Sequence, residues 1–213
     1  MKYLCSLLLV VIFFSCRDGS NSIPGKVASR PYLDKDSNIV RPEGQNPYEP
    51  VDVSPMDMSY LPDDYPILKM DNKTNKPPVA RVIYSRPQMQ GRKIFGSLVK
   101  YGEPWRLGAN EATELQLFQA VTIDGKMIPA GRYVLYCIPQ SDKWTIVFNS
   151  NFDCWGLKQD PAKDLYKFTI PVTEKDQAIE YYTMVFNKTD RGADLVMAWD
   201  NIEARLPFQY NDK

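Results

Sequence analysis

The chain has 213 residues, with 26 basic and 26 acidic side chains, a formal net charge of zero and no histidine. Zero net charge leaves no global field to steer the protein towards nucleic acid, and we expect no nucleic-acid partner. The absence of histidine excludes Ser-His-Asp and Cys-His catalysis, His-ligated zinc and the usual proton shuttle of neutral pH. We predict neither metal nor cofactor, and any catalysis would have to use carboxylates, lysine or tyrosine.

The first 15 residues are typical of a secretory signal peptide. A short basic start is followed by an apolar run over residues 7–14 and by a small residue before the expected cleavage point. The run is too short to cross a bilayer, which takes about 20 apolar residues. Phe13-Phe14-Ser15-Cys16 resembles the lipobox of bacterial lipoproteins, with phenylalanine where leucine is usual in its first position. This resemblance implies that Cys16 is lipidated and becomes the new N-terminus.

These features predict a cell-envelope protein that is held at the membrane by lipid on Cys16. Bacterial lipoproteins resemble one another in carrying several acyl chains, and more than one chain makes attachment stable. Arg17, rather than an acidic residue, follows the cysteine, which by the same resemblance favours the outer membrane. The alternative is an ordinary secreted protein with a cysteine near its cleavage point.

Residues 16–77 form a segment that we predict to be a tether. Residues 17–78 contain 10 of the 17 prolines, are rich in Asn, Asp and Ser, and show no sustained apolar period. This composition is typical of a flexible linker. Residues 48–68, however, include several aromatic and aliphatic side chains. The tether is therefore either partly disordered or docked, through its later half, on the domain that follows.

We predict one all-β domain over residues 78–213, with an antiparallel β-sandwich or barrel-like fold. Its apolar segments are short, rich in Val, Ile, Tyr, Phe and Thr, and separated by turn residues about every 8–12 positions. The predicted strands are 80–84, 113–118, 120–123, 133–138, 144–149, 165–172, 179–187, 193–199 and 202–208.

Local signals support several of these strands. One face of the 144–149 strand carries Trp144, Ile146 and Phe148, the alternation expected when one face is buried. Asp124-Gly125 predicts a type I′ hairpin turn, because that turn needs positive φ at its centre. The only helix that we predict is a short one within residues 93–100.

Cys137 and Cys154 are the two cysteines left in the mature domain. In an oxidising compartment a disulfide between them would stabilise the fold by about 3 kcal/mol. A turn near residues 140–142, however, would place Cys137 opposite Thr145 and leave Cys154 well past it. The alternative is two unpaired thiols that act as small apolar fillers.

A dense run of charged, aromatic and glycine residues lies between residues 85 and 113. It contains Trp105-Arg106-Leu107-Gly108-Ala109-Asn110-Glu111-Ala112-Thr113, and Asp124-Gly125-Lys126 and Ile128-Pro129-Ala130-Gly131 follow it. With these motifs the chain resembles, over about residues 85–207, an uncharacterised family of bacterial envelope proteins, domain of unknown function 2911. The resemblance implies a secreted or lipid-anchored β-rich protein and carries no activity with it.

Six residues of this run are candidates for a binding site, because sites usually lie in loops between strands. They combine an aromatic plane with amide, carboxylate and guanidinium groups, which suits a sugar ring or a carboxylate. The candidates are Arg86, Arg92, Trp105, Arg106, Asn110 and Glu111. The structural alternative is that Trp105 fills the core and that Arg106 pairs with Glu111.

Three functions are compatible with the sequence. We favour a non-catalytic binding or assembly module whose partner is an envelope glycan or protein. A hydrolase of glycan or cell-wall material would instead use Glu103 and Glu111, or Glu111 and Asp153, as acid and base, about 5–9 Å apart. The third function is a structural domain that docks on a larger complex, and no oligomeric state follows from the sequence. On the first hypothesis, Trp105→Ala and Arg106→Ala abolish ligand capture without lowering the melting temperature.

Overall fold

The computed structural model describes residues 52–210, which form nine β-strands, one α-helix and one 3-10 helix. The strands are β1 Met56–Leu61, β2 Ala80–Ser85, β3 Thr113–Leu117, β4 Val121–Ile123, β5 Lys126–Ile128, β6 Gly131–Pro139, β7 Lys143–Asn149, β8 Asp164–Thr189 and β9 Gly192–Gln209. Helix α1 is Tyr65–Met70 and the 3-10 helix is Pro161–Lys163. The predicted signal peptide, Cys16 and most of the predicted tether lie outside the described residues. Within residues 52–210, no helix has the length and apolarity needed to cross a membrane.

The strands form an antiparallel sheet in the order β1-β2-β3-β6-β7-β8-β9-β4-β5. β8 serves two neighbours, since Pro171 still pairs with Lys143 of β7 whereas Val172 pairs with Ala204 of β9. Its register shifts on both sides of Ile179, where the pairing with β9 is irregular. β8 therefore joins two halves of the sheet, whose buried side chains belong to one core. The predicted all-β, sandwich-like class is confirmed.

The core contains apolar side chains from both halves of the sheet. Trp144, Ile146 and Phe148 of β7 are each buried, as the alternation of their strand predicted. Leu195 and Met197 of β9 are buried in the same cluster. Removal of this apolar surface from water is the main favourable contribution to folding.

The predicted β4–β5 hairpin is confirmed, but the division of two later strands is wrong. Asp124 and Gly125 have φ values of 49° and 71°, both positive, as a type I′ turn needs. The predicted strands 165–172 and 179–187 form one strand, β8, and 193–199 and 202–208 form one strand, β9. Asp200 has φ 55° and lies inside β9, so the pairing changes there without ending the strand.

The helix predicted within residues 93–100 is wrong. The segment forms turns, in which the Val99 N–H donates to the Ile94 carbonyl at 2.9 Å and the Gly96 N–H donates to the Val99 carbonyl at 2.8 Å. Gly96 has φ 79°, which is incompatible with a right-handed helix. The α-helix of the described residues, Tyr65–Met70, lies instead in the segment predicted to be a tether.

Strand β1 also lies in that segment. Its pairing with β2 runs in one register from Met56 with Ser85 to Leu61 with Ala80, and Leu61 is 2% exposed. The sheet therefore begins at Met56, upstream of the domain boundary that we predicted at residue 78. Of the two alternatives for residues 48–68, disordered or docked on the domain that follows, the described part of this segment corresponds to the second.

Cys137 and Cys154 are both free thiols. Cys137 lies on β6 opposite Ile146 and is fully buried, and burial raises the pKa of its thiol well above the ordinary value. Cys154 lies in the connection from β7 to β8. The disulfide that the sequence left open is not formed, because one thiol faces the core and the other lies beyond the end of the sheet.

Candidate functional site

Trp105 belongs to the packed interior. It is partly buried, and its ring packs against four aromatic rings at centroid distances of 5.0–6.0 Å. These rings are those of Phe95, Trp144, Tyr182 and Trp199. Its Nε1 donates to the Gly108 carbonyl at 3.2 Å. The structure thus places Trp105 in the core, as the structural alternative predicted, rather than on a binding surface.

Arg106 contacts backbone carbonyls rather than Glu111. Its Nη1 donates to the Trp155 carbonyl at 3.1 Å and to the Asn110 carbonyl. Burial lowers the pKa of the guanidinium from its ordinary value. Glu111 is exposed. Arg106 therefore connects the 105–113 segment to the chain between β7 and β8, and the predicted ion pair is replaced by hydrogen bonds to carbonyls.

Asn110 and Arg92 also have structural partners. Asn110 Nδ2 donates to Asp52 Oδ2 at 2.9 Å and to the Ser54 carbonyl at 3.0 Å, which holds the start of the described chain against the 105–113 segment. Arg92 Nε donates to the Met89 carbonyl at 3.0 Å within its own loop. The side chains of these two candidates therefore bond to different parts of the chain, and neither bonds to Trp105.

Arg86 lies where three strands approach one another. Its Nη1 forms an ion pair with Asp57 Oδ2 of β1 at 3.0 Å, and its Nη2 donates to Thr183 Oγ1 of β8 at 3.2 Å. Its Nε donates to the Tyr182 carbonyl at 3.3 Å, and the guanidinium lies 5.8 Å from the ring centre of Tyr181. Of the six binding candidates, Arg86 alone lines the groove described next.

Side chains join β1 and β2 to the second half of β8, and we call this contact the seam. Ser59 Oγ of β1 accepts from the Phe186 N–H at 3.4 Å. Tyr84 of β2 is buried beside Met184, whose backbone hydrogen-bonds to its phenol. The seam thus brings together parts of the chain that are about 100 or more residues apart.

A groove of about 880 Å³ follows the seam, and we call it the seam groove. Its aromatic and apolar lining includes Met58, Tyr60, Tyr65, Tyr84, Met184 and Phe186. Its polar lining includes Asp57, Asp63, Lys69, Arg86, Thr183 and Asn187. The rings of Tyr60 and Tyr65 lie 5.5 Å apart and are tilted by 32°. The groove therefore combines aromatic surface with hydroxyl, amide and charged groups, the composition expected of a small-ligand site.

The seam groove holds a neutral phenol beside a paired charge. Burial is the largest effect on Tyr84 and raises the pKa of its phenol, and the nearby carboxylate of Asp57 raises it further. The hydrogen bond from Met184 and the charge of Arg86 act in the opposite direction but do not outweigh burial. Tyr84 therefore stays protonated at neutral pH and serves as a hydrogen-bonding group rather than a charged one.

The carboxylates of the hydrolase alternative lie on exposed surface. Glu103 is paired with Lys100 at 3.7 Å, and Asp153 is paired with Arg132 at 3.0 Å. None of Glu103, Glu111 and Asp153 belongs to the described lining of the seam groove. Within residues 52–210, no three His, Cys, Asp or Glu side chains are grouped so as to hold a metal ion. The three carboxylates therefore lie outside the seam groove.

The family described as protein of unknown function, DUF2911, matches residues 69–208. The chain belongs to this family. The resemblance seen in the sequence is therefore confirmed. No curated protein and no solved structure matches the chain.

In this DUF2911 protein the match covers one side of the seam groove. Arg86, Thr183 and the rest of the β8 wall lie within the matched residues, whereas Tyr60 and Tyr65 lie before them. Sequence reasoning missed these two tyrosines as site residues, although it noted the aromatic density of residues 48–68. The cluster of aromatic residues in 48–68 was the only sign of these site residues in the sequence. The sequence did not indicate that β8 would lie opposite them.

Proposed function

We propose that this protein is a lipid-anchored binding module of the cell envelope, and that its ligand lies in the seam groove. The observation that carries the proposal is the composition of the groove, in which Tyr60 and Tyr65 lie on the same surface as Arg86 and Asn187. The groove is not the site that the sequence suggested within residues 85–113. Of the six candidates named there, Arg86 is the one that lines the groove.

The ligand that this composition fits best is a glycan. Tyrosine rings offer an apolar face to a sugar ring and a polar edge to its hydroxyls. Lys69, Thr183 and Asn187 add charge, hydroxyl and amide groups that bond to hydroxyl oxygens. The Arg86–Asp57 pair neutralises the charge at one end of the groove, so strong selection for an anionic ligand is not expected.

Membrane attachment is the second part of the proposal. It is supported by the signal-peptide pattern of residues 1–15 and by the lipobox-like Phe13-Phe14-Ser15-Cys16. Incorporation of alkyne-labelled palmitate into the wild-type protein, and its loss in Cys16→Ser, would support this part. A wild-type protein that takes up no label and fractionates as soluble would overturn it.

The groove is tested with Lys69→Ala and Asn187→Ala. Both residues are exposed, so each substitution removes a polar contact with little effect on folding. Binding is measured to isolated cell-wall sacculi and to a panel of soluble envelope polysaccharides. Loss of one hydrogen bond or charge contact costs about 1–3 kcal/mol, which corresponds to roughly 5- to 150-fold weaker binding. Lys93→Ala is the control, because Lys93 is an exposed lysine outside the groove lining.

Two results would contradict the groove proposal. The first is unchanged glycan binding by both groove variants with normal melting temperatures. The second is binding to a protease-sensitive protein component with no affinity for any glycan tested, which would assign the groove to a protein partner instead.

A further inference from the structure

The connection between β7 and β8, residues 150–163, exposes three large apolar side chains. Trp155 is 55% exposed, Leu157 is 72% exposed and Phe152 is 37% exposed. We call this connection the 150–163 loop. Exposed apolar side chains that lie close together along one short segment indicate an interaction surface more often than isolated ones do.

The backbone of the 150–163 loop is held in place by hydrogen bonds. Asn149, which is fully buried, donates through Nδ2 to the Asp160 carbonyl at 2.9 Å, and its Oδ1 accepts from the Asn151 N–H at 2.7 Å. Gln159 Nε2 donates to the Gly156 carbonyl at 2.7 Å. The apolar side chains of this loop are therefore exposed on a fixed backbone.

Gly156 seats the loop on the 105–113 segment. It has φ 74°, and a Cβ at this position would lie 3.0 Å from the Cβ of Arg106 and 3.1 Å from the Cα of Ala112. Arg106 also donates to the Trp155 carbonyl at 3.1 Å. The loop thus packs through its backbone against the protein, while Trp155 and Leu157 are left exposed to solvent.

The N-terminal part of the chain arrives at the same place. Asn110 bonds to Asp52 and Ser54, and the carbonyl of Asn110 accepts from Arg106, which also holds Trp155. Residues 17–51 separate Cys16 from this point. As a flexible coil they would span roughly 30–35 Å, so a lipid on Cys16 would keep this end of the domain within reach of the bilayer surface.

Charges around the loop are largely paired. Asp153 and Glu114 both form ion pairs with Arg132, at 3.0 and 2.5 Å, and the Arg132 guanidinium lies 5.3 Å from the ring centre of Phe152. Lys158, next to Leu157, is exposed and forms no ion pair with the described residues. A lipid surface would therefore meet aromatic and aliphatic side chains together with this one positive charge. Tryptophan suits the boundary between headgroups and acyl chains, because its ring is apolar and its N–H is polar.

We infer that the 150–163 loop inserts Trp155 and Leu157 into the interfacial region of the membrane. The inference rests on the lipid anchoring of the proposed function, because the anchor determines which end of the domain faces the bilayer. Contact of this kind is driven by burial of apolar surface, so it needs no anionic lipid and depends little on salt.

Tryptophan fluorescence provides the test. The full-length protein purified from membranes is reconstituted into phosphatidylcholine vesicles that contain bromine-labelled acyl chains, and Trp155→Phe is measured in parallel. Trp105, Trp144 and Trp199 are present in both proteins, so the difference between the two reports Trp155. We expect at least twofold quenching of this difference signal, equal at low and high salt. An unquenched Trp155 in a protein whose mass shows acylation of Cys16 would overturn the inference and leave the anchor intact.

A second arm separates the loop from the anchor. The Cys16→Ser protein is added to the same vesicles, and flotation measures its partition into the lipid fraction. We expect measurable partition that falls at least tenfold in Trp155→Ala/Leu157→Ala. Met127→Ala is the matched control, since Met127 is also 72% exposed but lies on the β4–β5 hairpin. No partition by Cys16→Ser, or dimers in sedimentation that only the loop variants dissociate, would contradict membrane insertion.

Discussion

Replacing Trp105 with alanine should destabilise the domain rather than abolish binding by a stable protein. Truncation of a buried tryptophan costs about 3–5 kcal/mol, and each aromatic pair adds about 0.5–1.5 kcal/mol beyond area burial. Trp105 contacts four rings but is only partly buried, so we expect a loss of about 2–4 kcal/mol. For a domain of this size the melting temperature should fall by roughly 4–16 °C.

The assay is urea and thermal unfolding of the full chain carrying Cys16→Ser, followed by circular dichroism. Trp155→Ala is the matched control, because the same residue type is 55% exposed there and its truncation should change stability by less than about 0.5 kcal/mol. Equal melting temperatures for Trp105→Ala and the parent would refute the core assignment. They would also revive the hypothesis, made from the sequence, that this ring is a ligand-binding plane.

Two further predictions concern titratable groups. Burial acts to raise the pKa of Asp164, but hydrogen bonds, led by that from Asn149, outweigh it and hold the pKa below its ordinary value. The ionised form therefore stabilises the fold above about pH 4, and this stabilisation is lost as pH falls through the folded-state pKa. At pH 7, Asp164→Asn should unfold at a lower urea concentration than the wild type. In acid, where Asp164 of the wild type is protonated, the two urea midpoints should lie closer together. Asp153→Asn is the control and should change the midpoint at neither pH. The second prediction concerns the two thiols, which are treated with iodoacetamide and located by peptide mapping. Cys154 should be labelled, whereas Cys137 should not, because it is buried and burial raises the pKa of its thiol. If neither cysteine is labelled until the protein is reduced, the two form a disulfide.

The two walls of the seam groove differ in how far the sequence could predict them. The β8 wall belongs to a segment whose apolar residues predicted strand correctly. β1 was missed because its alternation is inverted: Met56 and Met58 are 43% and 49% exposed, whereas Asp57 and Ser59 share a face with buried Leu61. Because Asp57 and Ser59 lie on the inward face, the sequence of β1 resembles that of a polar linker, and its pairing in the sheet becomes evident only from the contacts of these residues.

What the sequence by itself determined was local. The alternation of Trp144, Ile146 and Phe148 and the positive-φ turn at Asp124-Gly125 depend on residues a few positions apart, and both predictions are confirmed. The motif run from residue 105 to residue 113 likewise sufficed to identify the family.

The tertiary structure decided which groups meet. Arg86 pairs with Asp57, 29 positions away, and bonds to Thr183, 97 positions away. Trp105 is a core residue because it packs against Phe95, ten positions away, and against three rings that are 39 or more positions away, those of Trp144, Tyr182 and Trp199. Such contacts depend on how the two halves of the sheet fold against each other at β8, and no local pattern of residues encodes that arrangement.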